Sequence, residues 1–404
     1  MSPQAAATAV PVLMLHSVAP EEALAPHRWL QRLATAPELL EATFESWRRH
    51  GVSTLTSGEL RAFLEGRETP KDRSVVLTLD DGYLDNWVAL TPLLEAYGFH
   101  AVVFVSTDFA DPRPVVRPQV GGTCALEWKG YLSWEEMRLA EARGAVEIQS
   151  HAKTHTWYFT SDTIVDYYRP GNAVTGPRSR LRFLWLNDHE AEKPHALSQL
   201  HDHAVPWGTP VYEYAPALVA RRFFPDAREG EAAVAFVAGH GGAAFFDDPG
   251  WRAKLDAEVA SFRSGAAPSG EYESEAERIA RVRGELTESK HLLSSRLGHP
   301  VDFLSFPQGG MDDACERLAL EAGYALWTMP SRGGSRAAHA SDGPHRVYRC
   351  GSGYGLFGES RGTRASLLSQ RLVLARHFGN PLARAVTRAV GLVRRVTPRS
   401  GIAR

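Results

Sequence analysis

Two adjacent carboxylates, Asp80 and Asp81, end an apolar segment in the sequence LTLDDG (residues 77–82). Because neighbouring residues at a strand end point in different directions, one carboxylate can bind a metal while the other faces a water molecule. Ligands and catalytic groups collect at the carboxyl ends of strands in parallel α/β sheets. Asp-Gly is also good turn chemistry, so this motif alone leaves an ordinary turn open.

Two histidines, His151 and His155, follow a second apolar segment and are four residues apart. In a helical turn this spacing places both imidazoles on one side, and neutral imidazoles suit Zn, Fe, Co or Ni. The chain has 16 histidines, so the pair alone could equally be surface or hydrogen-bonded residues. Two histidines and a carboxylate together offer three protein ligands, which is typical of catalytic zinc with an open position.

Two more segments end in residues that could reach the same region. The sequence PVLMLHSV (residues 11–18) delivers His16, which can donate a proton to a leaving amine because the pKa of histidine lies near working pH. A buried histidine that hydrogen-bonds to the backbone is an equally good interpretation. The sequence FLSFPQGG (residues 303–310) predicts a tight turn, either beside a site or as a plain β-to-α connection.

Short apolar runs without alternation predict parallel strands that are covered on both faces. The predicted strands are Val10–Leu15, Val52–Leu55, Ser74–Leu79, Ala101–Val105, Ala145–Ile148, Val301–Phe306 and Ala325–Met329. Apolar positions at three-to-four spacing between them predict helices. The predicted helices are Ala36–Arg49, Asn86–Tyr97, Ser133–Arg143, Ser274–Leu297 and Asp313–Ala322. The alternation indicates a parallel α/β sheet, open or closed, and seven strands favour a barrel.

Residues 156–273 interrupt this alternation and are rich in aromatic residues. A structureless loop of that length would be implausible in a compact domain, so we expect an inserted subdomain or lid with a helix at Tyr214–Phe223. The insertion divides the barrel into residues 1–155 and residues 274–360. Residues 361–404 form a basic C-terminal tail.

Charge is unevenly distributed along the 404 residues. The net charge of −2 gives no global field for nucleic acid. The tail, however, carries ten Arg and no acidic residue, so the other 360 residues have 35 basic and 47 acidic residues, or −12. The three cysteines are far apart, which fits reduced interior thiols. The N-terminus lacks the pattern of a secretion signal and no long apolar run occurs, so we expect a cytoplasmic protein.

These motifs, in this order, resemble those of the polysaccharide deacetylase family (the NodB-homology, carbohydrate esterase 4 group). TLDDG (78–82) is similar to its TFDDG motif, and HAKTH (151–155) to its H(S/T)xxH motif. SFPQG (305–309) corresponds to its proline-glycine motif. VLMLHSV (12–18) resembles members with a permuted order, in which the proton-donating histidine lies on the first strand.

The resemblance implies a distorted (β/α)7 barrel with one divalent metal held by Asp81, His151 and His155. Zn²⁺ is the first candidate, with Co²⁺, Ni²⁺ or Fe²⁺ as alternatives. The resemblance further implies that Asp80 acts as the base and that His16 protonates the departing amine.

The proline-glycine motif would place Pro307, Gln308 and Gly309 in the substrate and oxyanion region. Two positions depart from the family pattern. Ala152 replaces the usual Ser or Thr of the histidine motif, and Ser305 occupies the place where many members carry an Arg that orients the base.

The implied activity is metal-dependent removal of an N-acetyl group from an acetamido sugar in a polysaccharide or a lipid-linked glycan precursor. Two alternatives remain open: a hydrolase of the same fold that acts on a non-sugar amide, and a catalytically weak glycan-binding or assembly protein. Turnover of a panel of free sugars, lipid-linked sugars and small amides would test the first alternative. Bound metal without turnover of any acetylated substrate would favour the second.

The tail contains a predicted amphipathic helix, Pro381–Val396. Its apolar face consists of Leu382, Val386, Ala389, Val393 and Val396, and its opposite face of Arg384, Arg388 and Arg395. Such a helix can make peripheral contact with the inner face of a membrane, which would favour a lipid-linked substrate. Packing against the acidic barrel is the alternative, since the apolar face has no Trp or Phe.

Overall fold

A computed structural model describes residues 9–170, 181–197, 205–265, 270–330, 336–357 and 364–396. The strands are β1 (Val12–Leu15), β2 (Ser17–Val18), β3 (Ala34–Thr35), β4 (Ser53–Thr54), β5 (Ser74–Leu79), β6 (Ala101–Val105), β7 (Val146–Ser150), β8 (Trp157–Tyr167), β9 (Pro210–Pro216), β10 (Phe223–Pro225), β11 (Gly270–Tyr272), β12 (Phe303–Leu304), β13 (Leu326–Thr328), β14 (Arg346–Val347) and β15 (Cys350–Gly351). The helices are α1 (Arg28–Gln31), α2 (Pro37–Arg49), α3 (Ser57–Leu64), α4 (Thr91–Tyr97), α5 (Trp134–Ala142), α6 (Leu181–Trp185), α7 (Ala227–Gly239), α8 (Trp251–Gly265), α9 (Glu275–Leu297), α10 (Asp313–Glu321), α11 (Arg364–His377) and α12 (Pro381–Val396).

The main sheet is parallel, with strand order β14-β13-β12-β7-β6-β5-β1-β15, and β4 pairs with the first residues of β5. Its two ends meet in one short segment, residues 346–351. The first half of this segment pairs with β13 and the second half with β1. The sheet therefore curls into a distorted (β/α) barrel, which confirms the predicted fold class. The closing segment was not predicted.

Apolar side chains on both faces of the strands explain why β5 and β6 show no alternation. Within β5, Val75, Leu77 and Leu79 pack outward against helices, whereas Val76 belongs to a second cluster with Phe104. The Phe104 ring lies edge-on to Phe303 at 4.8 Å, a favourable aromatic geometry. Both clusters hold the strand ends, and hence the residues that follow them, in fixed positions.

Local signals place the helix ends as expected. Ser133 and Ser274 form capping boxes at the starts of α5 and α9, in which each hydroxyl accepts a backbone N–H that would otherwise lack a partner. Gly98 and Gly298 end α4 and α9 in the left-handed conformation, with φ of 70° and 81°. The predicted helix from residue 86 begins as a π-helical turn, Asn86–Leu90, before it continues as α4.

The described part of the insertion has its own small core. Strands β8 and β9 form an antiparallel hairpin, and α7 packs against α8 over Tyr167, Val237 and Leu255. The predicted helix at Tyr214–Phe223 is wrong. Residues 210–216 form β9 instead, where Tyr214 lies opposite Phe159 on β8, because cross-strand aromatic pairing outweighs a weak helical pattern.

The C-terminal helices form a hairpin against the barrel. Helix α11 contacts α2, and α12 has the predicted bounds. Ala383 and Thr387 of α12 are buried, whereas Leu382 and Val393 are 72% and 62% exposed. The side chains of residues 394–396, which include the predicted Arg395 and Val396, lie outside the described residues. Across the described ranges, no helix combines the length and apolarity needed to cross a bilayer.

A buried ion pair joins the insertion to the barrel. The Lys193 ammonium, whose side chain is 1% exposed, lies 3.0 Å from the carboxylate of Asp108 in the loop after β6. Burial raises the pKa of Asp108, and the nearby ammonium only partly offsets this effect. Each charge therefore depends on the other for compensation.

Replacing Lys193 by Met should lower the free energy of unfolding by about 3–5 kcal/mol, because Asp108 would remain buried without its partner. Chemical denaturation measures the loss. Lys153→Met is the matched control, because the Lys153 side chain is 29% exposed and pairs with Glu288. This substitution should lower the free energy of unfolding by less than about 1 kcal/mol. Equal losses in the two variants would show that the buried pair does not hold the insertion.

Candidate metal centre and active site

The predicted chemical residues converge at the carboxyl end of the barrel. Asp80 and Asp81 follow β5, His151 follows β7, and His16 follows β1. Because these strands are parallel, their ends open into one cavity of about 980 Å³. His155, four residues beyond His151, lines the same cavity.

Three of these residues form a compact set of donor atoms. The Oδ1 atom of Asp81 lies 3.2 Å from Nε2 of His151 and 3.0 Å from Nε2 of His155. Bonds of about 2 Å to a tetrahedral Zn²⁺ would separate ligand atoms by roughly 3.3 Å. Within the part of the chain that the structure describes, this is the one group of three such side chains close enough to hold a metal ion.

The hydrogen bonding of His151 tests whether a cation fits. Nδ1 of His151 lies 2.7 Å from the backbone carbonyl oxygen of Ser305, so it must carry a proton to donate to that oxygen. In the neutral ring Nε2 then carries no proton, and its lone pair faces the Asp81 carboxylate. Two acceptors at this distance repel unless a cation lies between them. The donor set therefore fits a metal, with the Ser305 carbonyl fixing the tautomer of the ligand.

Electrostatics keep Asp81 ionised. Burial by itself would raise the pKa of Asp81, but the neighbouring His155 and His151 hold it well below its usual value. Asp81 is consequently present as the charged form that a metal requires.

The loops that carry these groups have strained backbones. Asp81, Ala152, His155 and Gln308 have φ values of 77°, 57°, 43° and 52°. Non-glycine residues with positive φ persist only where the surrounding structure imposes them, and they cluster at functional sites. Three of these residues line the cavity and Ala152 directly follows His151, which indicates that the fold imposes this geometry on the site.

Asp80 is bound by a residue that the sequence analysis missed. Nη1 and Nη2 of Arg349 lie 2.6 and 2.8 Å from the two oxygens of Asp80, a bidentate pair. Burial would raise the pKa of Asp80, but Arg349 is the largest opposing influence and the pKa ends below its usual value. The hydroxyl of Ser305 is a weaker neighbour at 3.4 Å. Arg349 therefore supplies the guanidinium that Ser305 cannot.

His16 faces the same cavity from β1. Burial lowers the pKa of His16, and the opposing influence of Asp81 and Asp80 does not restore it. The side-chain amide of Asn86 donates a hydrogen bond to the backbone carbonyl of His16 at 3.0 Å and so fixes its backbone. Asp85 accepts the backbone N–H of the next strand, at Val18.

The proline-glycine turn is only partly at the cavity. Gln308 and Gly309 line it, and the side-chain amide nitrogen of Gln308 lies 3.1 Å from Nδ1 of His155. Pro307 is buried and does not border the cavity. The structure thus brings two of the three predicted turn residues to the site.

The insertion forms part of the cavity wall. Trp157, Phe183 and Val219 line the cavity together with Trp29 from the first part of the barrel. The Phe183 ring lies 6.0 Å from the ring of His155, so the insertion contacts a candidate metal ligand directly. That it also sets substrate choice stays a prediction.

Comparison with known proteins gives the following matches. Residues 67–170 match the sequence model of the polysaccharide deacetylase family. YxkH of Bacillus subtilis (strain 168), which its name assigns provisionally to the polysaccharide deacetylases, is 27% identical over 146 residues, or 36% of this chain and 43% of that relative. The match thus spans less than half of that relative's length.

Solved structures are more distant in sequence. The BpsB deacetylase domain from Bordetella bronchiseptica is 18% identical, with 86% of this chain and 98% of that chain covered and a TM-score of 0.49. IcaB from Ammonifex degensii is 16% identical, with 93% and 99% covered and a TM-score of 0.48.

Gly82, directly after the paired carboxylates, should not tolerate a side chain. Its φ is 67°, and an added Cβ would lie 2.9 Å from Cγ2 of Val105. Gly82→Ala should lower the free energy of unfolding by about 1 kcal/mol for the backbone and roughly 1–3 kcal/mol more for the clash. Gly98→Ala isolates the backbone cost, since Gly98 has φ of 70° and open space around it. Equal melting temperatures for the two variants would contradict the close packing at Gly82.

Proposed function

We propose that this chain, whose residues 67–170 match the model of the polysaccharide deacetylase family, is a metal-dependent hydrolase that removes an N-acetyl group from an acetamido sugar in a polysaccharide or a lipid-linked glycan precursor. The observation that carries the proposal is the convergence of a metal-ligand set with an arginine-bound carboxylate in one cavity. A non-catalytic glycan-binding protein would need no such second carboxylate beside the ligands.

The proposed metal ligands are Asp81, His151 and His155, with Zn²⁺ as the first candidate and Co²⁺, Ni²⁺ or Fe²⁺ as alternatives, since a carboxylate and two imidazoles suit all of them. A bound divalent ion would supply Lewis-acid polarisation of the acetamide carbonyl and make a nearby water more acidic. Asp81 contributes the negative charge of the set, and the Ser305 carbonyl holds His151 in the ligating tautomer.

Asp80 is the proposed general base. Its carboxylate is ionised because of Arg349 and is held in one orientation by two hydrogen bonds. It takes a proton from the attacking water, whose oxygen forms a bond to the acetyl carbon. Arg349 acts as a positioning residue that keeps Asp80 charged and aligned.

His16 is the proposed acid. As the amide C–N bond breaks, its imidazolium gives a proton to the sugar nitrogen, so that the products are acetate and an amino sugar. The lowered pKa of His16 makes the imidazolium a better proton donor. Gln308 and Gly309 line the same cavity and would border the substrate.

The non-sugar amide alternative concerns the same chemistry with another substrate. The aromatic wall formed by Trp29, Trp157 and Phe183 favours a sugar, because aromatic faces can stack on pyranose rings. Turnover of acetylated oligosaccharides but not of small acetamides would separate the two.

We place the enzyme in the cytoplasm, with peripheral contact at the inner face of the membrane through α12. The exposed Leu382 and Val393 on one face of α12, and the exposed Arg384 and Arg388 on the opposite face, support this proposal. An amphipathic helix with an apolar face and a basic face is the combination that binds an anionic interface.

Removal of one ligand should abolish metal loading. His151→Ala should reduce bound metal from about one ion per chain to near zero, because two donors remain where catalytic sites use three. Elemental analysis after dialysis measures this content. His240→Ala, an exposed histidine of the insertion, should retain full loading. Full occupancy in His151→Ala would show that the ligand assignment is wrong.

Asp80 and Arg349 should behave as one unit in kinetics. Asp80→Asn should retain the metal and lower kcat about 100-fold or more, the usual contribution of a general base. Arg349→Gln should lower kcat about 10–100-fold with the metal intact, and the double variant should be no slower than Asp80→Asn alone. Additive losses would contradict the positioning role of Arg349.

His16→Ala should also lower kcat while the metal is retained. Near-normal turnover in this variant would remove His16 from the mechanism.

A further inference from the structure

A second cleft, of about 470 Å³, lies at the end of the barrel opposite the catalytic cavity. It is bounded by α2, by α11 and by Val52, Asp72 and Arg73, which come directly before β4 and β5. The catalytic residues follow their strands, whereas these residues precede them. We refer to this feature as the basal cleft.

The floor of the basal cleft is apolar. Trp47, Val52, Leu374 and Phe378 line it, and the first three are buried members of the main core. An apolar floor of this kind accepts hydrocarbon rather than a free inorganic ion.

The rim of the basal cleft is cationic. Arg371 donates from Nε to the Ser46 hydroxyl at 2.9 Å, and Arg73 donates from Nη1 to the backbone carbonyl of His50 at 2.9 Å. Among the described residues, neither guanidinium has a carboxylate within 4.0 Å, although both charges lie beside a cavity. The one lining carboxylate, Asp72, accepts the backbone N–H of Arg73. The remaining donors of both arginines are available to an anion.

Two buried polar side chains at the basal cleft also lack partners within the described ranges. The indole N–H of Trp47 and both amide atoms of Gln370 have no hydrogen-bond partner, although these residues are only 3% and 1% exposed. Such unsatisfied groups are costly, and they border the cleft rather than the interior alone. Arg73 adds backbone strain there, with φ of 62°.

Helix α12 continues the basal cleft into an exposed surface. The cleft ends at Gly379 and Asn380, and α12 begins at the next residue, Pro381. The exposed Leu382 and Val393 then lie on the solvent side of α12. The α11 side of the basal cleft, with Arg371, Leu374 and Phe378, therefore leads directly along the chain into α12.

We propose that the basal cleft binds the acidic phospholipid of a bilayer, with the headgroup phosphate on Arg73 and Arg371 and apolar lipid against Leu374 and Phe378. Guanidinium groups match phosphate geometry by paired hydrogen bonds. This inference extends the membrane contact proposed for α12 and is independent of the catalytic assignment.

Co-sedimentation of the full chain with vesicles tests the proposal. Vesicles of phosphatidylcholine alone are compared with vesicles that contain 30% phosphatidylglycerol (about a third acidic lipid), at low salt. Arg73→Gln with Arg371→Gln should reduce partition onto the acidic vesicles about 25-fold, since each basic residue near such a surface is worth roughly a factor of five. The control pair Arg283→Gln with Arg317→Gln changes net charge equally at exposed arginines that pair with Glu321, and should leave partition unchanged.

Three results would overturn the proposal. Equal losses in the two double variants would mean general electrostatic attraction, and equal partition on both vesicle types would mean no acidic headgroup is recognised. A thermal shift with inorganic phosphate as large as with a short-chain phosphatidylglycerol would assign the basal cleft to free phosphate.

Two further arms keep the proposals distinguishable. A chain ending at Gly379 tests the contribution of α12 separately, because it removes the helix and keeps the arginines of the cleft rim. Ala375→Phe fills the cleft without a charge change and should abolish the short-chain lipid shift. Deacetylation of a soluble oligosaccharide without lipid should be unaffected in every cleft variant, so a loss of lipid binding and a loss of catalysis are separate outcomes.

Discussion

Two neighbouring carboxylates buried side by side need separate compensation, and the rest of the site depends on how the fold provides it. Burial alone would raise the pKa of Asp80 and of Asp81, and two adjacent charges would raise them further. The structure gives each a different counterpart. Asp80 receives the guanidinium of Arg349, and Asp81 receives two imidazoles whose arrangement suits a cation. Separate counterparts also separate the proposed roles, since Asp80 does not share the imidazoles that face Asp81.

Barrel closure and this charge compensation rest on the same six residues. Residues 346–351 pair with β13 and then with β1, and Arg349 lies between the two pairings. A slip of the closing segment would therefore move the guanidinium away from Asp80. The cost of leaving a buried carboxylate unpaired ties the geometry of the closed barrel to the ionisation of Asp80.

The sequence predicted what is local and missed what is distant in the chain. Strands β5 and β6 match their predicted bounds, because uninterrupted apolar runs ended by charged residues or glycine leave little choice. The grouping of Asp81, His151 and His155 was predicted from two strand ends, the spacing of the histidines and the family resemblance. Residues 346–351 read RVYRCG, which is too short and too polar to predict a strand. The one indication of Arg349 in the sequence was Ser305, which stands where many family members carry an Arg. A guanidinium that contacts Asp80 would then have to come from another strand end.

The insertion shows the same limit in another form. Its aromatic content predicted a subdomain, but no helix forms at Tyr214–Phe223. Residues 214–216 belong to β9 instead, and their partners on β8 lie more than fifty residues earlier in the chain, where a local pattern cannot reveal them. Phe183 then packs on His155, whose backbone has a positive φ. Strain of this kind needs support from surrounding residues. The insertion is consequently part of the structure that holds His155, a candidate metal ligand, in place, and its removal would disturb the position of His155 as well as the wall of the cavity.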